Sequence, residues 1–298
     1  MSDFGFLLRH IYEDQNLEEI LMIKTALTIC GALCALTPTL ACIQPPNAEQ
    51  EQLSEARYSS DFEGGDLDYI QYRYVYYSER DFFTYENPYK LPTFYSGLKS
   101  ACTVNAGGVA ITYNDRLYDN LIPNYAPRRT SIRFTYGTQD DNIDNMFSSL
   151  YTLMGTNSQG TTISGFHKGM TSYVNQRGYD INLPKATGNY HNLNWEYLKE
   201  QLHQEKVAVV FVHDFSLVSP SEIQTNGEYY SIMHKLYTGY HTMTVYGYLE
   251  YYYYDSNGKE TQKDTYLWVQ NCYETANLEL LSVSNYCTID DAYIIDIH

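Results

Sequence analysis

An Asn-Gly turn between two alternating runs constrains the fold of this chain more than any other feature. Residues 239–248 (GYHTMTVYGY) and 266–271 (YLWVQN) alternate in the manner of strands, and a turn-forming stretch at residues 255–258 (DSNG) lies between them. Asn-Gly between alternating runs is a strong hairpin signal, because both residues accept the positive φ angles of a tight hairpin turn. The sequence therefore predicts an antiparallel hairpin in its C-terminal half.

The other periodicities divide the chain into a helical front half and an antiparallel β back half. Helices are predicted at residues 102–113, at two places between 138 and 179 with Gly155 and Gly178 as stops, and at 192–206. Strands are predicted at residues 66–76, at 207–212 (VAVVFV) and at 292–297. This order predicts an α+β fold in one domain over residues 66–298, without internal repeats.

The charge and the motif content exclude several classes of function. The 298 residues include 19 Lys and Arg against 36 Asp and Glu, which gives a net charge of −17 at pH 7. Such a field repels phosphate backbones, so nucleic acid is excluded as a partner. The sequence has no HExxH or paired CxxC pattern and no Gly-rich phosphate loop, and it therefore predicts no metal and no cofactor.

The N-terminal region has the pattern of an export signal. After Met22, one Lys precedes an apolar run that ends in small residues before Cys42, which is typical of a secretory signal and too short for a comfortable membrane span. Residues 1–21 are acidic, so we expect the true start to be Met22. The ending TLAC (residues 39–42) resembles a bacterial lipobox, although Thr39 replaces the usual Leu. This resemblance favours acylation of Cys42 over simple cleavage.

These features predict an extracellular protein, either secreted or anchored to the outer face of the cell membrane by a lipid on Cys42. Membrane contact is then expected only through that anchor. The alternative, a buried N-terminal helix, is disfavoured by the polar stretch at residues 44–50 (QPPNAEQ), which is typical of a tether. We interpret residues 43–65 as a tether or a propeptide, and a first β-layer is a further alternative for the stretch up to residue 85.

Cys102 is the candidate nucleophile among the six cysteines. Cys30 and Cys34 leave with the predicted signal, and Cys272 and Cys287 lie close enough in sequence to pair across two strands, although sequence alone leaves this pairing open. Cys102 begins the predicted helix CTVNAGGVAITY, where unpaired N–H groups and the helix dipole favour a thiolate. The small residues behind it predict that another element packs very close to this helix.

His241 is the candidate base. A cysteine nucleophile needs an imidazole to take its proton and an acceptor to orient the ring. His241 opens an apolar strand, and the predicted hairpin brings it near Asn271, whose amide is then placed to hold the ring. The alternative is a hydrogen-bonded structural histidine, while His167 and His203 fit solvated positions. The sequence also leaves open His191, His213 and His234.

Several motifs accompany the order Cys102, His241, Asn271. They are YNDR (113–116), NLIPNY (120–125), MGT (154–156), GFHKGMTSYVNQRG (165–178) and GYHTMTVYGY (239–248). His241 follows Cys102 by 139 positions, within the spacing of about 130 to 150 that is usual in papain-like enzymes. Over residues 85–298 the chain resembles papain-like cysteine peptidases of the secreted bacterial branch related to the bacteriocin-leader-processing peptidases.

The resemblance implies a papain-like α+β fold and hydrolysis of peptide bonds in a peptide or protein substrate. It implies that the Cys102 thiolate attacks the carbonyl and forms a thioester, and that His241 acts as general base and then as general acid. Asn271 is implied as the orienting residue. The oxyanion is then held by the backbone N–H of Cys102 and by a second donor.

That second donor is where the sequence departs from the family. Papain-like enzymes carry a glutamine six residues before the cysteine, whereas this chain has Ser96, with Gln71 and Asn87 as the nearest upstream amides. Loss of one oxyanion donor costs about 10²- to 10³-fold in rate. One alternative is therefore a catalytically inactive peptidase-fold surface lipoprotein or adhesin that binds through its 33 tyrosines. Another is a thiol amidase or acyl transferase that uses the same residues.

Overall fold

A large antiparallel sheet and four helices make up the part of the chain that the structure describes. The structure is a computed structural model and describes residues 56–59, 63–74, 77–84, 91–126, 128–129, 134–135, 139–189, 192–219, 223–225, 229–273 and 278–298. All of them belong to one compact unit, Ser54–His298. This mixed architecture is compatible with the predicted α+β class.

The helices and strands alternate in the front half, and strands dominate the back half. The helices are α1 (Cys102–Asp115), α2 (Asp141–Leu153), α3 (Ile163–Asn175) and α4 (Trp195–His203). The strands of the front half are β1 (Arg57–Tyr58), β2 (Glu63–Tyr74), β3 (Tyr77–Thr84), β4 (Arg128–Arg129), β5 (Phe134–Thr135), β6 (Thr161–Thr162) and β7 (Ile181–Asn182). Those of the back half are β8 (Ala208–Val218), β9 (Ile223–Thr225), β10 (Tyr229–Tyr254), β11 (Glu260–Gln270), β12 (Leu278–Ser282), β13 (Thr288–Ile294) and β14 (Asp296–Ile297).

The predicted hairpin is confirmed, and its first strand is much longer than expected. β10 runs for 26 residues, and its second half pairs antiparallel with β11. In the turn, the Asp255 carboxylate accepts hydrogen bonds from the backbone N–H groups of Asn257 (2.8 Å) and Lys259 (3.0 Å). Gly258 has a φ of 75°, which glycine adopts without strain. The turn therefore fixes the register of the hairpin by local chemistry.

β10 is the centre of the large sheet. Its first half pairs with β2, β8 and β9, and its second half pairs with β3 and β11. β8 also pairs with β12, and β12 pairs with β11, so β8, β12, β11 and β10 form a closed circuit of pairings. Because β2 and β3 precede α1, the front half of the chain contributes strands as well as helices to the domain.

Two of the three apolar clusters in the described residues lie on opposite faces of the sheet and flank the candidate site. On one face, α1, α2 and α3 pack against Val209 and Phe211 of β8, which we call the α1-side core. On the other face, Leu198 and Leu202 of α4 pack against Val210, which we call the α4-side core. Successive residues of a strand point to opposite faces, so the apolar run of β8 supplies both cores.

Helix α1 lies at the centre of the α1-side core. All 14 of its residues are buried. A Cβ atom on Gly108 would lie 2.2 Å from a ring carbon of Phe147, and one on Gly107 would lie 2.9 Å from the terminal methyl of Met154. The prediction of a very close neighbour at this helix is confirmed, because the two glycines leave room for side chains from α2 and from the residue that follows it.

Most predicted elements are confirmed with shifted ends. β2 covers residues 63–74 instead of 66–76. Helices α2 and α3 end just before Gly155 and Gly178, both of which have positive φ angles. Residues 56–59 and 63–65, which we interpreted from sequence as tether or propeptide, are part of the described fold.

The predicted export signal at residues 22–42, including Cys42, lies outside the described residues. The candidate histidine His191 lies outside them as well. Within the described part of the chain, no helix has both the length and the apolar character needed to cross a membrane.

Candidate active site

Cys102 occupies the predicted position, the first residue of α1. Its side chain is completely buried, and its Sγ atom lies 4.0 Å from the Thr103 hydroxyl. The Thr103 hydroxyl is in turn hydrogen-bonded to the hydroxyl of Thr242 in β10 (2.8 Å). The thiol therefore lies at the interface between the start of α1 and the residue that follows His241.

The protonation of this thiol is the opposite of what the sequence predicts. Burial raises the pKa of Cys102 to about 11, and hydrogen bonds with Thr242 and Thr103 oppose the shift. The expected thiolate at the helix start is wrong for this closed structure, because removal of water outweighs the favourable field of the helix terminus. Cys102 is a neutral thiol here at physiological pH.

His241 is also completely enclosed. Its Nε2 atom lies 2.6 Å from the backbone oxygen of Asn271, and its ring stacks on Phe215 at a centroid distance of 5.5 Å. A carbonyl oxygen can only accept, so Nε2 carries the ring hydrogen. Burial lowers the pKa of His241 to about 4, against hydrogen bonds with the backbone of Asn271 and of Ser59. The ring is therefore neutral at pH 7.

Asn271 meets His241, but not through the group that the sequence indicates. The backbone carbonyl of Asn271 holds the ring. Its side-chain amide donates to the Glu279 carboxylate (2.7 Å), and its side-chain oxygen accepts from the Tyr273 backbone N–H (3.1 Å). The predicted contact of the amide with the ring is thus replaced by a main-chain contact that any residue type at position 271 can make.

The structure brings the three predicted residues to one corner of the fold without forming the thiol–imidazole pair. Among the hydrogen bonds of the described residues, none joins Cys102 to His241. β10 presents the Thr242 side chain to α1, whereas the preceding His241 ring stacks on Phe215 of the α4-side core. The link between the two segments is therefore the hydrogen bond of their neighbours Thr103 and Thr242.

A band of polar groups, which the sequence analysis did not identify, joins α1 to the hairpin. The Thr244 hydroxyl donates to the Ala106 carbonyl (3.0 Å) and lies 3.7 Å from the sulfur of Cys272. The Asn105 amide donates to the Cys272 carbonyl (3.4 Å). A sequence signal was present, because Thr242 and Thr244 place hydroxyls at alternate positions of an apolar strand.

Cys272 is a second buried thiol in this band. Its Sγ atom donates to the side-chain oxygen of Gln270 (2.7 Å). Burial raises the pKa of Cys272 to about 12. Cys272 and Cys287 form no disulfide, and they pack in the α1-side core and beside the α4-side core, respectively. The pairing that the sequence left open is therefore not made.

Ser96, at the position where papain-like enzymes carry the oxyanion glutamine, hydrogen-bonds within its own loop and to α1. Its backbone N–H donates to the side-chain oxygen of Asn105 (3.0 Å), and its hydroxyl accepts from the backbone N–H of Leu98 (3.2 Å). At the start of α1, the N-cap residue Ala101 has no side chain that can cap the first turn. Backbone N–H groups of that turn are therefore the donors that can face a developing oxyanion beside Cys102.

Four other described histidines differ in burial and in their partners. His234 is buried between Ser216 and Gln71, and burial lowers its pKa to about 4. His213 contacts the Asp290 carboxylate (2.7 Å). The expectation of a solvated His167 is wrong, because its ring is half-buried edge-on against Tyr293. His203 is exposed on α4, as expected.

No protein-family model matches this chain, and a search of curated proteins also finds no match. In the described ranges, no group of three or more His, Cys, Asp or Glu side chains is placed to hold a metal ion. The arrangement of Cys102, His241 and Asn271 is therefore the feature that bears on function.

Proposed function

We propose that this protein is an exported papain-like cysteine peptidase that hydrolyses peptide bonds through a Cys102 thioester. The observation that carries the proposal is the convergence of three chain segments at one corner. Cys102 begins a buried helix, the adjacent strand supplies His241 beside Thr242, and the next strand supplies the Asn271 carbonyl. These residues are far apart in sequence and have the types that thiol hydrolysis requires.

The chemistry follows from the tautomer of His241. With the hydrogen on Nε2 and bound to the Asn271 carbonyl, Nδ1 carries the lone pair that accepts the Cys102 proton. The carbonyl then stabilises the imidazolium that forms, because it accepts a charge-assisted hydrogen bond. The thiolate attacks the peptide carbonyl, and Nδ1 returns the proton to the leaving amine. Water, deprotonated by the same nitrogen, hydrolyses the thioester.

The enclosed structure corresponds to a resting state of the proposed enzyme. Burial holds both Cys102 and His241 neutral, and the ring stacks on Phe215 instead of facing the thiol. Formation of the ion pair needs water or substrate at the site and a movement of this end of β10 that brings Nδ1 to the thiol while Nε2 keeps its bond to the Asn271 carbonyl. Activity therefore depends on an opening step that precedes chemistry.

The oxyanion site limits the rate that we expect. The first turn of α1 offers backbone N–H groups, and position 96 offers no amide side chain. An enzyme with one donor fewer is slower by about 10²- to 10³-fold than a fully equipped relative. A slow peptidase is therefore the expected result.

The second candidate function is a peptidase-fold surface protein that binds through its tyrosines without catalysis. The exposed side chains of Tyr69, Tyr72 and Tyr286 favour it, and the rings of Tyr69 and Tyr286 lie 5.3 Å apart. Tyrosine-rich surfaces suit binding because the ring is large, rigid and amphipathic. In this case the buried thiol serves only the packing of α1.

Turnover by matched cysteine variants tests the first proposal. The protein is incubated with a library of peptides and with wall-peptide fragments, and products are identified by mass spectrometry. We expect slow cleavage of peptide bonds by the wild type and by Cys287→Ala, and none by Cys102→Ala. Equal product formation by wild type and Cys102→Ala would show that the thiol is not the nucleophile. If only amide bonds of the wall fragments are cleaved, the protein is a thiol amidase and the peptidase proposal is wrong.

A further inference from the structure

An extended piece of the chain, residues 56–59, lies against the candidate active site, and we call it the N-terminal segment. Its strand β1 pairs antiparallel with β6, with Arg57 opposite Thr162 and Tyr58 opposite Thr161. A Cβ atom on Gly160 would lie 2.1 Å from the backbone oxygen of Tyr58, so only glycine permits this approach. β6 therefore receives an added strand in the way that peptide-binding clefts receive ligands.

The side chain of Tyr58 fills a pocket that suits a phenol. Its ring is buried and lies edge-on to the rings of Phe211 (4.8 Å) and Tyr240 (5.5 Å). Its hydroxyl donates to one oxygen of the Asp290 carboxylate (2.9 Å), and the other oxygen contacts Nδ1 of His213 (2.7 Å). Burial, together with Asp290, raises the pKa of Tyr58, so the hydroxyl stays a donor. The pocket thus has an apolar wall and one directed acceptor.

The residue after Tyr58 reaches the candidate base. The backbone of Ser59 makes a hydrogen bond with the His241 ring, whose Nε2 is held by Asn271. The N-terminal segment therefore runs from β6, through the phenol pocket, to the atoms that the proposed reaction uses. An extended polypeptide already occupies the place where a substrate would lie.

We propose that the cleft holding residues 57–59 is a binding site for extended polypeptides that carry tyrosine, and that the N-terminal segment occupies it in cis. The inference rests on the proposed function in taking this cleft as the substrate site. Backbone pairing with β6 accepts many sequences, and the pocket of Phe211, Tyr240 and Asp290 selects the side chain. The tethered segment competes at an effective concentration of about millimolar, so the site is closed until the segment leaves.

The pocket discriminates tyrosine from phenylalanine through the carboxylate. A phenylalanine packs against the same apolar wall, but it cannot donate the hydrogen bond that the phenol makes to Asp290. Hydrogen bonds to charged groups contribute enough that their loss weakens binding by about tenfold or more. A preference of this size separates a phenol site from a general apolar cleft.

Binding of a labelled peptide to the full-length chain tests the inference. The probe is a fluorescent copy of residues 54–62 (SEARYSSDF), and a second probe has phenylalanine at the tyrosine position. Fluorescence anisotropy is measured with wild type, with Tyr58→Ala, which vacates the pocket, and with Leu117→Ala, which removes an exposed apolar side chain elsewhere. We expect Tyr58→Ala to bind the tyrosine probe at least about tenfold more tightly than wild type and Leu117→Ala do. We expect Tyr58→Ala to bind the phenylalanine probe about tenfold more weakly than the tyrosine probe.

Equal binding of the two probes, or equal affinity of Tyr58→Ala and wild type, would overturn the inference. If Tyr58→Ala does not fold, Tyr58→Phe provides the same test, because it keeps the ring and removes only the contact with Asp290. We expect it to bind the tyrosine probe better than wild type, and no gain would count against the inference.

Product analysis in the same samples separates the inference from the proposed peptidase. Selective binding of the tyrosine probe without cleavage leaves the inference standing and contradicts the peptidase. Cleavage of both probes without selectivity contradicts the inference and supports the peptidase.

Discussion

The two faces of β10 carry opposite chemistry within four successive residues. Thr242 and Thr244 face α1, and their hydroxyls hydrogen-bond to that helix. Met243 and Val245 face the α4-side core and contribute only apolar atoms. All four side chains are buried, so burial alone does not distinguish the faces.

The α1 face of β10 therefore surrounds the thiols, and the α4 face stabilises the fold. A buried hydroxyl costs free energy unless a partner satisfies it, whereas a buried methyl group is favourable in itself. Within these four residues, hydroxyls lie on the face where Cys102 and Cys272 lie. We therefore expect substitutions on the α4 side to change stability, and substitutions on the α1 side to change the reactivity of the thiol.

Truncation of a side chain on the apolar face of β10 should reduce the stability of the fold the most. Met243→Ala should lower the free energy of unfolding by about 3 kcal/mol, because it leaves a cavity in the α4-side core. Urea denaturation measures the change, and Met243→Leu, which keeps most of the volume, should cost less than about 1.5 kcal/mol. Alkylation of Cys102 should be unchanged in both variants. A shifted pH profile for that thiol would show that the faces are coupled.

A smaller change in stability is expected from His241, which stacks on Phe215 of the α4-side core, when the pH is lowered. Burial holds the pKa of His241 at about 4 in the folded protein, below its ordinary value of 6.5, so the unfolded chain binds its proton first as pH falls. Its contribution to stability is present above pH 6.5 and is lost as pH falls towards 4. Between pH 7 and 5 the wild type should lose about 2 kcal/mol more than His241→Gln.

The control for this experiment is Met243→Leu, which alters a buried neighbour that carries no titratable group. It should lose as much stability between pH 7 and 5 as the wild type does. Equal losses in wild type and His241→Gln would mean that the ring is not buried as described.

Removal of one hydroxyl from the polar face should change stability the least. Thr242→Val removes the hydroxyl that bonds to Thr103 and should cost about 1 kcal/mol of stability. The same substitution should alter the alkylation rate of Cys102, because the lost hydroxyl lies next to that thiol. Thr242→Ser keeps the hydroxyl and should keep the rate. If Thr242→Val and Thr242→Ser give the same alkylation rate, the hydroxyl at position 242 does not affect the reactivity of Cys102.

The sequence predicted those parts of the fold that local patterns specify. Asn257-Gly258 marked the hairpin, and Gly155 and Gly178 marked helix ends, because turn and cap residues act over a few positions. The length of β10 was not predicted, because its many tyrosines obscure the alternation. The pairing of β1 with β6 was not predictable from two-residue strands that lie about a hundred residues apart in the chain.

Sequence reasoning proposed the residues of the candidate site, and the structure does not show the side-chain contacts that it expected between them. Cys102, His241 and Asn271 share one corner, since the hairpin and the helix place them there. The depth of burial that raises the pKa of the Cys102 thiol depends on the whole domain and leaves no local signal. The contact of His241 with the backbone carbonyl of Asn271, instead of its side-chain amide, likewise depends on the backbone path at the end of β11.

Alkylation decides whether Cys102 and His241 act as a pair. Folded wild type and His241→Ala are treated with a small electrophile from pH 5 to 9, and mass spectrometry compares adducts at Cys102 with those at Cys287 as an internal reference. Burial raises the pKa of Cys102 to about 11 in the closed structure. We expect the opening step to pair the thiol with His241, so that Cys102 of the wild type reacts with a midpoint below about 8.5, the pKa of an unperturbed thiol, and we expect His241→Ala to remove this reactivity. Identical profiles in the two proteins, at or above that value, would show that no such pair forms.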